Sequence, residues 1–389
     1  DHGRGLVADK LNNYYLGCHA NSPDGLATPG AYRENYAGGT GDDAVLSYFS
    51  ADGDLIFGTY YGGTDDETIR RLCIDNDGNV LMVGYTFSDS GIATPGVYQE
   101  VWSGGADLCL SKWTPDGQLI WGSYLGGTEE DHGRSVTIDK DDNIYVNGST
   151  ASDDIGTPGV SRPDHAGKQD FLMGKFTTDG QIDWVSYWGG ALEDRGRGVF
   201  VDSSSRYVYF TGYSASDTGV ATPGAYQQDL QIGFDGAGEP FHDMVLMKWD
   251  LNGHIQWSSY LGGAKDDRGR AITMIGDNEI YISGSTESAD TMATPDGFDT
   301  VWGGKGDMFL EIWDSNGVRN YGSYFGGTGD EDNLALAIDD KHQNIYLVGT
   351  AQSTNLATPG TAQPVFGGND DALLVKIQLH LPEAAPTAS

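Results

Sequence analysis

The chain has 389 residues, 38% of them hydrophobic, which is enough for a large buried core, and no stretch reads as a secretory signal or a membrane span. Its 57 acidic residues outnumber 22 Lys plus Arg, and the resulting formal charge of −35 repels nucleic acid and anionic membrane, excluding both as partners. The three cysteines, Cys18, Cys73 and Cys109, show no CxxC spacing and support neither a zinc site nor a disulfide scaffold.

With 58 glycines, 21 tyrosines and no apolar stripe of helical period, the composition is all-β, many short strands joined by tight turns. A repeat is anchored on Asp43, Asp107, Asp170, Asp243, Asp307 and Asp371, each opening an apolar strand, at spacings of 64, 63, 73, 64 and 64. Six units follow, at about 1–64, 65–128, 129–191, 192–264, 265–328 and 329–381. The first begins at Asp1, already inside a strand. The third shows the pattern openly: RSVTID, a polar turn, IYVNGST, a long loop with TPG, DFLMGKF, then QIDWVSYWGG. The fourth carries an insertion within DLQIGFDGAGEPFHD, where Phe234, Phe241 and His242 are the place for something non-repeated. The sixth runs from DALLVKIQL into HLPEAAPTAS without a W.SYLGG strand, so its outer edge is expected to be open, and a strand from upstream residues or another chain would be the donor. Residues 382–389 read as a Pro/Ala/Thr/Ser linker.

Four-stranded units at this period predict a β-propeller of antiparallel blades, each sheet burying both faces against its neighbours. Aromatic residues eight apart, Phe49 with Phe57, Trp113 with Trp121, Phe176 with Trp184, Trp249 with Trp257 and Trp313 with Tyr321, are expected on one sheet face as cross-strand pairs.

The stretch WGSYLGGTEEDHGRSVTIDKDDNIYVNGST, with ATPGAYQ and a following Gly-Gly-x-Asp strand, resembles the SBBP repeat, a β-propeller repeat of exported and cell-surface bacterial proteins. The resemblance runs along essentially the whole chain. It implies a propeller and an extracellular or cell-surface setting, and no particular reaction; the family's name implies seven blades where six units are counted.

Loops from strand four into the next unit, and from strand two into strand three, emerge at one end of a blade. Arg4, Arg70, Arg134, Arg197 and Arg270 should therefore converge around the mouth of the central channel, with Leu334 in the sixth place. An acid precedes each by three residues: Asp1, Glu67, Asp131, Asp194, Asp267 and Glu331. A second basic position holds His2, His132, Arg195 and Arg268, interrupted by Thr68 and Asp332. Either each Arg bridges its own acid or a neighbour's strand-three Asp, tying blades together, or the guanidiniums capture a carboxylate or sulfate. Repetition in every unit favours the first.

The six strand-opening aspartates each follow a Gly-rich loop whose amides they can accept, a structural role. TPG turns at Thr28, Thr94, Thr157, Thr222 and Thr358, and TPDG in the fifth unit, shape a loop. Tyr36, Trp102, His165, Trp302 and Phe366 precede the loop glycines and form either an aromatic platform for sugar rings or packing between blades. The turns DNDGN (75–79) and DKDDN (139–143) offer alternating oxygens, so a structural Ca²⁺ is the one cofactor expectation, although neither has the glutamate an EF-hand requires.

No GxSxG elbow, HExxH or P-loop is present, and the eight histidines are scattered. The expectation is a non-enzymatic extracellular interaction or adhesion module with a protein or glycan partner at the channel-mouth face. The alternatives are a polysaccharide lyase or hydrolase, using a Tyr or His base beside an Arg, and self-assembly through the open edge.

Overall fold

A computed structural model of the chain describes residues 1–39, 41–339 and 344–378. The linker-like stretch 382–389 and the end of the sixth unit lie outside the described residues. Twenty-three strands, numbered in chain order, form six sheets, and among the described residues there is no helix. The first sheet is a meander of β1 (His2–Ala8), β2 (Tyr14–Ala20), β3 (Asp43–Phe49) and β4 (Leu55–Tyr61), each strand antiparallel to the next. Four more sheets repeat it, and the sixth has three strands: β21 (Glu331–Ile338), β22 (Asn344–Ala351) and β23 (Asp371–Gln378). The molecule is a six-bladed β-propeller.

The first strand of each blade lines the axis. β1 packs on β5 (Glu67–Ile74), β5 on β9 (Asp131–Ile138), β9 on β13 (Asp194–Val201), β13 on β17 (Asp267–Ile275), and β17 on β21. Alternating side chains leave each sheet with two apolar faces, and the core is a series of layers between successive sheets.

The junction between the sixth and first sheets is different. Leu72 is 8% exposed, yet Leu6 at the same repeat position is 67% exposed; Leu310 is 3% exposed, and its counterpart Leu374 is 67%. The outer faces of blades one and six are therefore not packed on each other as the five other pairs are. Arg71 Nη2 of the second blade reaches the Leu334 carbonyl of the sixth at 2.8 Å.

The expected aromatic pairs are not formed, because the hairpin between strands three and four carries a bulge. In the first blade Tyr48 faces Phe57 and Phe49 faces Leu55; in the second Lys112 faces Trp121 and Trp113 faces Leu119. The extra residue shifts the period by one, so the two rings point to opposite faces. Trp113 packs edge-on against Tyr61 of the preceding blade, whereas Trp121 donates its indole N–H to Thr178 in the following one, at 3.1 Å.

Candidate functional site: an arginine-lined channel

A second bulge occurs in the hairpin between strands one and two, and its extra residue is the repeated arginine. Gly3 pairs with Cys18 and Gly5 with Gly17, leaving Arg4 out of the ladder. Arg70, Arg134, Arg197 and Arg270 are skipped in the same way, as is Leu334. A bulged residue is re-aimed away from the regular up-and-down alternation. Here it turns inward, and Arg4, Arg70, Arg134, Arg197 and Arg270 line one central cavity of about 570 Å³, joined by Arg71 and facing Leu6 and Val348 of the open junction.

The acids three residues upstream do not neutralise these arginines. Each is fully buried in blades two to six and holds the Gly-Gly turn of the preceding blade: Gly63 N–H donates to Glu67 at 2.9 Å, Gly127 to Asp131 and Gly190 to Asp194 at 2.8 Å, Gly263 to Asp267 and Gly327 to Glu331 at 2.7 Å. The strand-three aspartates are equally occupied. Asp43, Asp107, Asp170, Asp243, Asp307 and Asp371 accept the amides of Ala37, Ser103, Ala166, Gln231, Gly303 and Gly367 in their own glycine-rich or inserted loops. Among the described residues Arg270 is the one channel arginine that meets a carboxylate, Asp332, at 3.3 Å.

Arg70, Arg134 and Arg197 rest instead on two tyrosines. Arg70 Nη2 lies 3.2 Å from the Tyr85 hydroxyl, and Arg70 and Arg134 lie 5.4 and 5.6 Å from that ring's centre. Arg197 Nη2 donates to the Tyr213 hydroxyl at 2.6 Å, with Arg268 5.5 Å from the ring centre. Burial, then the charges of Arg197 and Arg70, holds Arg134 below the ordinary guanidinium range. Burial alone would raise both phenols; at Tyr213 the Arg197 charge and hydrogen bond outweigh it, and at Tyr85 the Thr68 hydrogen bond and the Arg70 charge do. Neither tyrosine was singled out from the sequence, because their position reads His19, Ser149, Ser285 and Thr350 in the other blades.

The second basic position behaves differently. Arg195 pairs with Glu193 at 2.7 Å and Arg268 with Asp266 at 2.8 Å, both acids from the connections between blades. His132 packs on Tyr85 with ring centres 4.3 Å apart, and His2 lies 5.2 Å from His19. His242, from the insertion, bonds Asp266 at 2.8 Å and approaches Glu193 at 3.7 Å; burial opposes its charge, but these two carboxylates raise it to about 9. Phe234, in the same insertion, is exposed.

The aromatic platform does not form at the channel. Tyr36 and His165 pack edge-on against Tyr60 and Tyr187 of their own outer strands, Trp102 and Trp302 pack against inter-blade cores, and none lines the cavity. Phe366 lines a small pocket of the sixth blade. At the two turns of the calcium expectation the leading aspartates accept their own turn amides. Asp75 accepts Asp77 and Asn79 amides and pairs with Lys112 at 2.9 Å; Asp139 accepts those of Asp141 and Asn143. Among the described residues no group of three or more His, Cys, Asp or Glu is placed to hold a metal ion.

The chain is 25% identical over 327 residues to the "Regulatory protein FlaEY" of Caulobacter vibrioides; that match covers 80% of this chain and 33% of the relative, so the chain spans about a third of its length. Among solved structures it is similar to hydrazine synthase of Kuenenia stuttgartiensis (9% identity, 90% of this chain and 75% of the other, TM-score 0.49). A 6-phosphogluconolactonase-like protein of Bacteroides uniformis (10% identity, 96% and 88%, TM-score 0.45) is also similar. Residues 120–156 match the family described as "SBBP: Beta-propeller repeat", and that stretch, running from the outer strand of the second blade into the third, is an SBBP repeat.

Proposed function

We propose that this propeller is a binding module that captures a multivalent anion, such as an acidic glycan or a carboxylate-rich protein segment, in its channel. One observation carries this reading: in a chain of charge −35, Arg4, Arg70, Arg134 and Arg197 share a cavity without a paired carboxylate among the described residues. Fixed guanidiniums in a concave, partly desolvated site attract an anion strongly and offer it paired N–H donors. The regulatory description of the Caulobacter relative supports binding rather than turnover, and the acidity of the rest of the surface supports an extracellular setting.

Calorimetric titration with uronate oligomers, a sulfated glycan and a neutral glucan tests it. Saturable binding of the acidic ligands that weakens with salt, and falls at least about tenfold in Arg134→Gln/Arg197→Gln but not in Arg206→Gln in the exposed turn after β13, is expected. Binding insensitive to the channel pair, or none at all, overturns the reading.

A second reading, turnover of an acidic polysaccharide, is favoured by Tyr213, whose phenol is held below its usual value against Arg197. That side chain is only 4% exposed, which places binding ahead. Unsaturated uronate products that appear with the native protein and vanish in Tyr213→Phe would reverse the order.

A further inference from the structure

Asp107 of the second blade and Asp131 of the third are both fully buried, and so are Asp243 of the fourth and Asp267 of the fifth. Each pair converges over the first glycine of a Gly-Gly turn. A methyl group on Gly262 would meet Asp243 Oδ1 at 2.5 Å and Asp267 Oδ2 at 2.8 Å; one on Gly126 would strike Asp107 Oδ1 and lie 2.9 Å from Asp131 Oδ2. Two acid oxygens therefore stand over one face of one glycine, away from water.

The donors around them are unevenly shared. Asp131 Oδ2 accepts the Gly127 amide and the Ser152 hydroxyl, both at 2.8 Å, and Asp267 Oδ2 accepts the Gly263 amide at 2.7 Å and the Ser288 hydroxyl at 2.8 Å. Asp107 Oδ2 accepts the Ser103 amide at 3.0 Å and Gln99 Nε2 at 3.2 Å; Asp243 Oδ2 accepts the Gln231 amide at 3.1 Å and Gln227 Nε2 at 2.7 Å. Asp107 Oδ1 and Asp243 Oδ1 have no donor among the described residues. A buried carboxylate oxygen without a donor, facing a second carboxylate, is costly, and a proton on it turns the same contact into a charge-assisted hydrogen bond.

Among the described residues no Lys or Arg acts on any of the four acids. Gln99 and Gln227 hold the repeat position that is Arg33 in the first blade and Arg162 in the third, where a guanidinium donates to the Gly62 or Gly189 carbonyl of the same turn. The amide side chain satisfies the turn without bringing a charge. The other titratable groups within reach are Asp154, Cys109, Tyr124 and Tyr187 around the first pair, and His242, Asp266, Tyr260, Glu311 and Tyr324 around the second. Burial, with the facing acid adding to it, raises Asp107 to about 7 and Asp243 to about 8, whereas Asp170, beside Arg162, rises to about 6.

We propose that these two junctions are proton latches: the strand-three aspartic acid carries a proton on Oδ1 and donates it to Oδ2 of the strand-one carboxylate, so that each pair holds one proton and one negative charge. At the junctions served by Arg33 and Arg162 a guanidinium supplies the balancing charge instead. When the shared proton leaves to solvent at alkaline pH, two like charges face each other in a dry space and the contact between the sheets loosens. Asp131 and Asp267 head the strands that carry Arg134 and Arg270, so the latches anchor the strand ends from which those side chains enter the channel.

The test is infrared spectroscopy of the intact protein, which separates the C=O stretch of an un-ionised carboxyl from the carboxylate bands. The un-ionised signal lost between about pH 7 and about pH 10 is compared in the parent, in Asp107→Asn/Asp243→Asn and in Gln99→Arg/Gln227→Arg, which copies the arrangement of the first and third blades. That signal is expected to be at least about halved in both variants. In the parent, exchange of the Gly127 and Gly263 amides, corrected for intrinsic rates, should accelerate at least about tenfold over the same range, and in the asparagine variant it should not. An undiminished signal in the arginine variant, no un-ionised signal in the parent, or a Tm lowered by a chelator, which would mark a bound cation in place of the proton, would each overturn the proposal. The latches lie in the blade junctions, so absence of anion binding in the channel leaves them untouched.

Discussion

Arg197 gives its Nη2 hydrogen to the Tyr213 hydroxyl at 2.6 Å, while Asp194, three residues before it on the same strand, accepts the Gly190 amide at 2.8 Å. Acid and base lie close in sequence but serve different tasks: one locks a turn between blades, the other is left facing the axis with its charge unmatched.

That division predicts a trade between stability and binding. Arg134→Gln removes a guanidinium that burial and the Arg197 and Arg70 charges already disfavour. The free protein should gain about 1 kcal/mol at low ionic strength. Thermal unfolding in low and high salt checks it: the Tm of the variant should exceed that of the parent in low salt and converge with it in high salt, while affinity for an acidic ligand drops. A lower Tm in low salt would mean that the arginine holds the hub together.

The buried carboxyls set an unusual pH response. Burial raises Glu67, Asp107 and Asp267 to about 7, Asp243 to about 8, and Asp170, Asp194 and Asp307 to about 6. A group whose folded value lies above its unfolded one stabilises below the unfolded value and loses that contribution as pH rises through the folded one. Stability should therefore fall progressively from the unfolded carboxyl range, about pH 4, to about pH 8. Burial, aided by nearby arginines, lowers His19 to about 4 and His132 to about 3 from 6.5, so these two oppose folding progressively as pH drops below 6.5. A Tm maximum near pH 4 is expected, since above it the seven carboxyls outweigh the two histidines, and Asp243→Asn should flatten the decline toward pH 8. A Tm that climbs steadily to pH 8 would contradict it.

Gly3 and Gly269 occupy the same repeat position, and they give a matched test of the open junction. A methyl group at Gly269 would meet Thr211 Oγ1 at 2.5 Å and the Gly212 carbonyl at 2.9 Å; at Gly3 it would meet only Leu16, at 3.8 Å. Gly269→Ala should cost about 1–3 kcal/mol by overpacking, and Gly3→Ala close to nothing. Denaturant midpoints for the two variants check it, and equal losses would mean that the face of blade one is covered.

Blade five contains a buried ion pair, with Arg319 Nε and Nη2 at 2.6 and 2.7 Å from the Glu311 carboxylate. Arg319→Met, which strands the acid, should cost about 3–5 kcal/mol, whereas the double variant Glu311→Leu/Arg319→Met should recover most of it. Equilibrium unfolding of the single and double variants measures the difference.

The blades were legible because the unit repeats whole: the strand-opening aspartates, the TPG turns and the W.SYLGG strands recur in order, and the absence of the last one in the sixth unit marked an open edge. The convergence of Arg4, Arg70, Arg134, Arg197 and Arg270 was legible for the same reason. What the alternation of residues cannot display is a bulge, since one added residue leaves the local composition unchanged while reversing every face beyond it. Phe49 and Phe57 were consequently assigned to one face and lie on two. Tyr85 and Tyr213 escaped notice because they do not repeat, and the expected pairing of each arginine with its own acid gave way because backbone amides in the adjoining Gly-Gly turn claim that acid first.

The bulge also frees the axial position from the demands of the ladder. A residue that contributes no cross-strand partner can be exchanged without altering the register on either side, and the sixth blade, with Leu334 there, has the same strand geometry as the arginine-bearing five. The lining of the bore can thus be rewritten one blade at a time, so that proteins sharing this backbone could differ in what they retain at the centre while folding alike.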